Sequence, residues 1–360
     1  MKILVIGCGI VGAMTAYELS KAGLQVTVCE AQPTYAQGAS GSALGVLMAV
    51  CSSKGEGAIA ELRLASLKLF DSLLSELQKE LPSELDPNTP LHRQGILCLY
   101  ESNTAQAKLT KLISLRQAQG YILEWKESVA GWQCAGAMYS PSDGWVHPQR
   151  LISALVSASK RYGVKFYFNT PIAKLKAVIE EFDHVVITAG LRANQLIESS
   201  MLQPVRGLAI TAELAKLHLS TVVHAVNSTG EDINIVPLGN GNYWLGATVH
   251  FAPDDCQPQR DIDWLLTTAQ RFQPLFQSAR VLNSWMGDRP RPKYQKAPVL
   301  GFLSQDRKIL IATGHYRNGI LMAPISARII RDLIVDGYSD LPWQSFAPKP
   351  ADSENQKLTL

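Results

Sequence analysis

Apolar residues near the start of the chain fall into two short runs, "ILVI" at residues 3 to 6 and the alternating "LQVTVCE", with helical spacing over 12 to 22 between them. That order predicts a β-α-β unit, the opening of a parallel, nucleotide-binding sheet. From Ala58 to Leu77 the residues Ile59, Leu62, Leu69, Leu73 and Leu77 recur with charges between them. The spacing predicts a long amphipathic helix, ended by "LPSELDPNTP". Residues 95 to 139 mix short strands with a polar helix, and a further helix is expected over 148 to 162, with Pro148 in its first turn. "VKFYFN" and the buried "HVVITAG" read as strands. Between Val205 and Val249 several strands separated by "NSTG" and "GNGN" suit an antiparallel sheet better than further β-α units. Near the end, the strand "KILI" and the amphipathic "ISARIIRDLI" are joined by "ATGHYRNGILMAP".

The pattern predicts a mixed α/β fold with interleaved domains. A Rossmann-like nucleotide-binding domain is assigned to 1–85, 140–200 and 297–345, and an antiparallel-sheet, substrate-binding domain to 86–139 and 201–296. The polar end, 346–360, is expected to be loose. A length of 360 residues suits two packed domains. The net charge of +3, from 34 basic and 31 acidic residues without long runs, argues against nucleic acid or an anionic membrane as partner. Six scattered cysteines include no C-x-x-C pair and no neighbourhood of metal-ligand spacing, so neither a disulfide framework nor a metal is expected. The chain enters a strand at once, without signal-peptide regions, and its longest apolar stretch is about half the ~20 residues of a membrane helix. Cytoplasmic residence without a membrane span is the expectation.

The chemistry starts at "GCGIVG". Gly7 allows a tight turn, Gly9 lets backbone approach a pyrophosphate, and Gly12 lets helix meet strand. Glu30 closes the second strand 18 residues beyond Gly12 and can accept hydrogen bonds from a ribose. The unit serves NAD as well as FAD, so an NAD enzyme or a regulatory nucleotide-binding module stays open at this point. Arg317, on the turn before the last helix, can serve a ligand or pair with Asp332 or a neighbour on the surface. Arg289, in "GDRPRP", is expected to follow the end of a strand, with Arg291 as its rival.

Further residues narrow the choice. Ala16, Leu19, Gly23, Val26 and Glu30 complete a spacing that resembles the FAD signature of the D-amino acid oxidase family. "GASGSALGV", "GWVHPQRL", "VVITAG", "PVRG", "IVPLGNGNYWLGAT", "GDRP" and "ATGHYRNGILMAP" follow in the order seen in the glycine oxidase branch of that family, over nearly the whole chain. The resemblance implies FAD, held by Gly7, Gly9, Ile10, Val11, Gly12, Glu30, Ala31, Ala39, Ser40, Leu44, Gly45, Val46, Ile172, His315, Tyr316, Arg317, Asn318, Gly319, Ile320 and Leu321. Attachment is expected to be non-covalent, because "RPKYQKAPVLG" lacks the cysteine of the sarcosine oxidase branch. Arg289 matches the arginine that binds the substrate carboxylate, and Arg317 would face both flavin and carboxylate. Asn234 stands where the branch has tyrosine and Val249 where it has methionine, which implies a roomier, more polar pocket.

The implied reaction is oxidative deamination of glycine or another small amino acid or amine, giving an oxo acid, ammonia and hydrogen peroxide. Its imine product would be available to thiamine thiazole synthesis. The absence of a nucleophile motif agrees with chemistry carried by a flavin. A dehydrogenase that passes electrons to a quinone or other carrier, or an oxidase for D- or N-methyl amino acids, is the alternative. A homo-oligomer is allowed.

Overall fold

The computed structural model describes residues 1–80, 95–102 and 106–349. The expected break at 81–90 and the last eleven residues lie outside them. The chain begins with β1 (Lys2–Ile6), α1 (Ile10–Lys21) and β2 (Gln25–Cys29), followed by β3 (Val46–Leu47) and α2 (Ala58–Glu80). Next come β4 (Ile96–Tyr100), α3 (Gln106–Ala118), β5 (Glu124–Lys126), β6 (Gly136–Ser140), β7 (Gly144–Trp145) and α4 (Pro148–Arg161). β8 (Lys165–Tyr167), β9 (His184–Ile187), the short α5 (Ala193–Leu196) and β10 (Leu202–Glu213) lead to β11 (Val222–Val226), β12 (Asp232–Gly239) and β13 (Asn242–Gly246). The rest is α6 (Pro258–Phe272), β14 (Arg280–Pro292), β15 (Val299–Phe302), β16 (Ile309–Thr313) and α7 (Gly319–Val335).

Six strands form one sheet in the order β15-β16-β9-β1-β2-β8, parallel except for the β15–β16 pair. α1 packs against α4 and α7. Its small and apolar residues are buried on nearly every side, as a helix between neighbours requires. Pro324 lies inside α7 and cannot supply the N–H of its turn. The fully buried Ser66 of α2 fills in beside it: its hydroxyl donates to Leu321 O at 2.6 Å and accepts from Ile325 N at 3.3 Å.

The second sheet runs β14-β10-β13-β12-β11-β4-β6-β5. It is antiparallel except between β11 and β4. The parallel pair departs from the expected pattern because β4 comes from an earlier excursion of the chain, so no hairpin sets its direction. One face of this sheet packs on α6 through Leu208, Ile210, Ile233, Ile235, Leu245, Leu265 and Phe272. The other face turns toward the six-stranded sheet.

Two sequence readings need correction. β14 continues through Arg289 to Pro292 instead of ending before it; it is the edge strand, where proline removes no ladder bond that the sheet needs. The tail is not loose from residue 346: Phe346 is buried, and Gln295 accepts from Lys349 N and donates to Phe346 O. A single apolar anchor in a polar segment accounts for the docking.

Candidate active site

A cavity of about 860 Å³ runs between the two sheets. Its first end is backbone. Gly7 has φ +105°, and a Cβ there would meet Thr188 O at 2.9 Å; a Cβ on Gly12 would meet Gly7 O at 1.9 Å. Gly12 is therefore behind the lining, holding α1 to the loop, while Gly7, Gly9, Ile10 and Val11 line the cavity. The first-turn amides and positive end of α1 face it. Ser40 Oγ accepts from Ile10 N at 3.0 Å, which seats the 38–46 loop across this helix end. Ala31, Ala39, Ser40, Leu44, Gly45, Val46 and Ile172 also line the space.

Glu30 lines the same end, but its carboxylate already serves the fold. It accepts from Cys8 N at 2.7 Å and from Gln32 N at 2.9 Å, tying the glycine loop to the end of β2. Each oxygen keeps a lone pair for a ligand. The turn after β9, from Thr188 to Arg192, completes this end and was not singled out as a site by sequence. Thr188 Oγ1 lies 2.9 Å from Ile6 O and 3.0 Å from Gly7 O. The only local signal was a buried strand that ends in "TAG".

The far end is made by side chains. After β16, Gly314 (φ +68°) and Tyr316 (φ +55°) turn the chain so that His315, Tyr316, Arg317, Gly319 and Ile320 reach the cavity at the start of α7. Asn318 and Leu321 do not line it: Asn318 is the N-cap of α7, and Leu321 is buried behind with its carbonyl bound to Ser66. His315 is also held from behind, Nε2 to Ser326 Oγ at 2.8 Å, and burial pulls it down to about 4. It is a neutral buried histidine.

Arg289 crosses β10 at Gly207, where a Cβ would strike its Nη2 at 2.3 Å. Nη1 donates to Arg206 O at 3.3 Å, and Nη1 and Nη2 both donate to Thr248 O at 3.2 Å. Of five guanidinium hydrogens this leaves Nε–H and one on Nη2, a side-on fork suited to a carboxylate. Burial and the charge of Arg317 pull Arg289 below the ordinary guanidinium value. An anion at the fork would relieve that cost. Arg291 does not line the cavity; its guanidinium lies 5.0 Å from the Phe251 ring centroid and 5.8 Å from that of Tyr316.

Arg317 has a carboxylate partner, though not Asp332. It pairs through both terminal nitrogens with Asp232 on β12, Nη1 to Oδ2 at 3.1 Å. Burial opposes this charge, but the Asp232 hydrogen bonds raise Arg317 overall and hold Asp232 below the usual carboxylate range. Burial and Arg317 together pull Arg63, on α2, down to about 10. Asp332 instead joins Arg328, Arg331 and Ser339.

Asn234 lines the cavity, but neither end of its amide is idle. Oδ1 lies 3.1 Å from His224 Nδ1 on the paired strand, and Nδ2 donates to Gly246 O at 3.4 Å. Buried His224 carries no local signal in the sequence, because its partner lies on another strand. Val249 is 37 % exposed and outside the lining, whereas Ala247 faces in. β13 ends at Gly246, and Thr248 turns inward to Leu208 N and Asp261, which sends Val249 out.

No helix among the described residues is long and apolar enough to cross a membrane. Residues 2–333 match the FAD dependent oxidoreductase family, DAO. The chain is 27% identical to glycine oxidase of Bacillus subtilis, over 95% of each protein. It is 29% identical to the bifunctional protein ThiO/ThiG of Nostoc sp., over 94% of this chain and 53% of that protein. The crystal structure of glycine oxidase from Geobacillus kaustophilus superposes with a TM-score of 0.85 at 25% identity, covering 98% of this chain and 99% of that one. With two glycine-rich helix starts opening on one elongated cavity, the chain belongs to the DAO family of FAD-dependent oxidoreductases.

Proposed function

We propose that the protein oxidises glycine or another small amino acid to an oxo acid, ammonia and hydrogen peroxide. The observation that carries this reading is the open fork of Arg289, held by two backbone carbonyls at one end of the cavity. FAD fits the remainder. Gly9 leaves room beside Ser40, Gly12 draws α1 against the loop, and Glu30 retains acceptor capacity for a ribose. The start of α7 offers positive dipole to the flavin's electron-rich edge. Cys29, at the Glu30 end, is the one cysteine among the lining residues, which supports non-covalent binding.

When bound, FAD supplies the two-electron acceptor for the carbon next to the amine. The protein's residues orient the substrate and keep it dry. Arg289 fixes the carboxylate, and a guanidinium fork permits one in-plane geometry, which turns the adjacent C–H in a defined direction. The Arg317–Asp232 pair closes the neighbouring wall with the Arg317 charge matched by a carboxylate. Gly207 and Ala209 keep the floor low, and Asn234, locked to His224 and Gly246, adds a fixed polar group. Amine oxidation requires a neutral nitrogen, so the substrate's ammonium proton leaves to water before the C–H is oxidised, and the lining is assigned no acid or base for that step. A supply of imine to thiamine thiazole synthesis belongs to the same proposal and is supported by likeness to the ThiO/ThiG protein.

The purified protein should be yellow and release its flavin on denaturation. A panel of glycine, sarcosine and small D- and L-amino acids should produce peroxide under air. Flavin reduction without peroxide, together with anaerobic dye reduction, would replace the oxidase by a dehydrogenase; a colourless protein that binds NAD would remove both.

A further inference from the structure

Residues 250–261 fold back between β13 and α6 and bring three donor atoms of different chemistry to one point. His250 Nε2 lies 2.6 Å from Asp261 Oδ2, and Cys256 Sγ lies 3.2 Å from the same oxygen. The three ligand atoms fall within 4.8 Å of one another. Asp261 is 3 % exposed and stands in the first turn of α6. His250 is tied to β10 by backbone hydrogen bonds in both directions with Arg206, 3.0 and 2.8 Å. Sheet, loop and helix thus each fix one donor.

We propose that His250, Cys256 and Asp261 form a binding site for a zinc-class transition-metal ion, with water completing a tetrahedron. Imidazole nitrogen, thiolate sulfur and carboxylate oxygen are the donors zinc takes, and the thiolate disfavours magnesium or calcium. Zinc bonds of about 2.0–2.3 Å put tetrahedral donors roughly 3–4 Å apart, so the cluster opens by less than about 1 Å to admit the ion. On binding, the thiol proton leaves to water and the imidazole moves its N–H to Nδ1. One proton is released per ion, and thiolate plus carboxylate cancel the dication. The rival role, a thiol nucleophile, is disfavoured by the geometry: the Cys256 S–H is aimed at the Asp261 carboxylate and not at an imidazole nitrogen. Met286 Sδ, 3.5 Å from Cys256 Sγ, also lines the large cavity, so the ion would brace β14 upstream of Arg289. The spacing His-x5-Cys-x4-Asp matches none of the paired motifs sought in sequence.

The test uses the full-length, FAD-loaded protein, stripped with chelator, then titrated with Zn²⁺ against a chromophoric competitor and with Co²⁺ as optical reporter. One Zn²⁺ per chain, a thiolate-to-cobalt charge-transfer band and a Zn²⁺-dependent rise in Tm are expected. Cys256→Ser should lose the band and weaken Zn²⁺ binding by more than the ~10–100-fold that loss of an outer-shell partner costs. Cys134→Ser, at the other partly exposed cysteine, should bind as wild type. His250→Ala serves as second ligand variant, since Asp261→Asn can loosen α6. No stoichiometric binding in the wild type, or equal affinity in Cys256→Ser, overturns the proposal and leaves a hydrogen-bonded staple of α6 to the sheet.

Discussion

The two ends of the cavity are built from different material. At the β1–α1 end the surface is backbone, shaped by glycines at which an added Cβ would fall only 1.9 to 3.0 Å from its neighbours. At the β10–β14 end it is side chain, shaped by guanidinium groups whose partners lie 41 to 85 residues away. A backbone end tolerates almost no change but would bind any ligand with a dinucleotide's shape. A side-chain end can be altered one group at a time, and each alteration changes which substrate is held.

Substitutions should separate the ends, and the largest effect falls on backbone. In Gly12→Ala the new methyl meets Gly7 O, a backbone atom that cannot swing aside. Stability should fall by about 3 kcal/mol or more, with FAD content lost in parallel, read by urea unfolding and flavin absorbance. Intact FAD content with reduced turnover would blur the division.

An effect of similar size belongs to pH. His315, held by burial at about 4 against an ordinary 6.5, stays neutral in the fold. Its contribution is full above about pH 6.5 and is lost as pH falls toward about 4, because the unfolded chain gains the proton first; the loss approaches on the order of 3 kcal/mol. Urea midpoints should drop between pH 7 and 5 in the wild type and less in His315→Asn. Equal drops would assign the effect to other groups, buried His224 first.

Gly207→Ala should act on catalysis. Its methyl would meet the Arg289 guanidinium at 2.3 Å and the Thr248 carbonyl at 2.5 Å, so beside a loss of stability kcat/KM should fall by about 10–100-fold, or about 1–3 kcal/mol, for carboxylate substrates and less for the matching amine. The smallest expected effect is that of Asp232→Asn. Breaking this half-buried pair should cost about 1–2 kcal/mol of stability and free Arg317, so carboxylate inhibitors should bind more tightly, by up to about tenfold. Unchanged inhibitor affinity would mean that Arg317 does not reach the substrate even when released.

Legibility in the sequence follows the same divide. Gly7, Gly9, Gly12 and Glu30 could be read because a tight turn and helix contact leave a mark within thirty residues, and α7 could be placed from its glycine-bounded start. The role of Glu30 in holding the loop was hidden, since hydrogen bonds to Cys8 and Gln32 amides leave no compositional trace. At the other end Arg289 was legible as a candidate, but Asp232, not Asp332, holds Arg317 because strand pairing decides proximity there. Val249 fails for a related reason: alternation can be counted only while the strand lasts, and β13 stops three residues earlier.

The central claim is that one arginine, Arg289, carries carboxylate recognition while Arg317 is occupied by Asp232. Its most direct measurement compares Arg289→Ala with wild type for a small amino acid and for the matching amine without the carboxylate, both as kcat/KM at saturating FAD. The account predicts a loss of about 2–5 kcal/mol, roughly 30-fold to several thousand-fold, for the amino acid and little change for the amine. Equal losses for both compounds, or a carboxylate-specific loss in Arg317→Ala and not in Arg289→Ala, would contradict it.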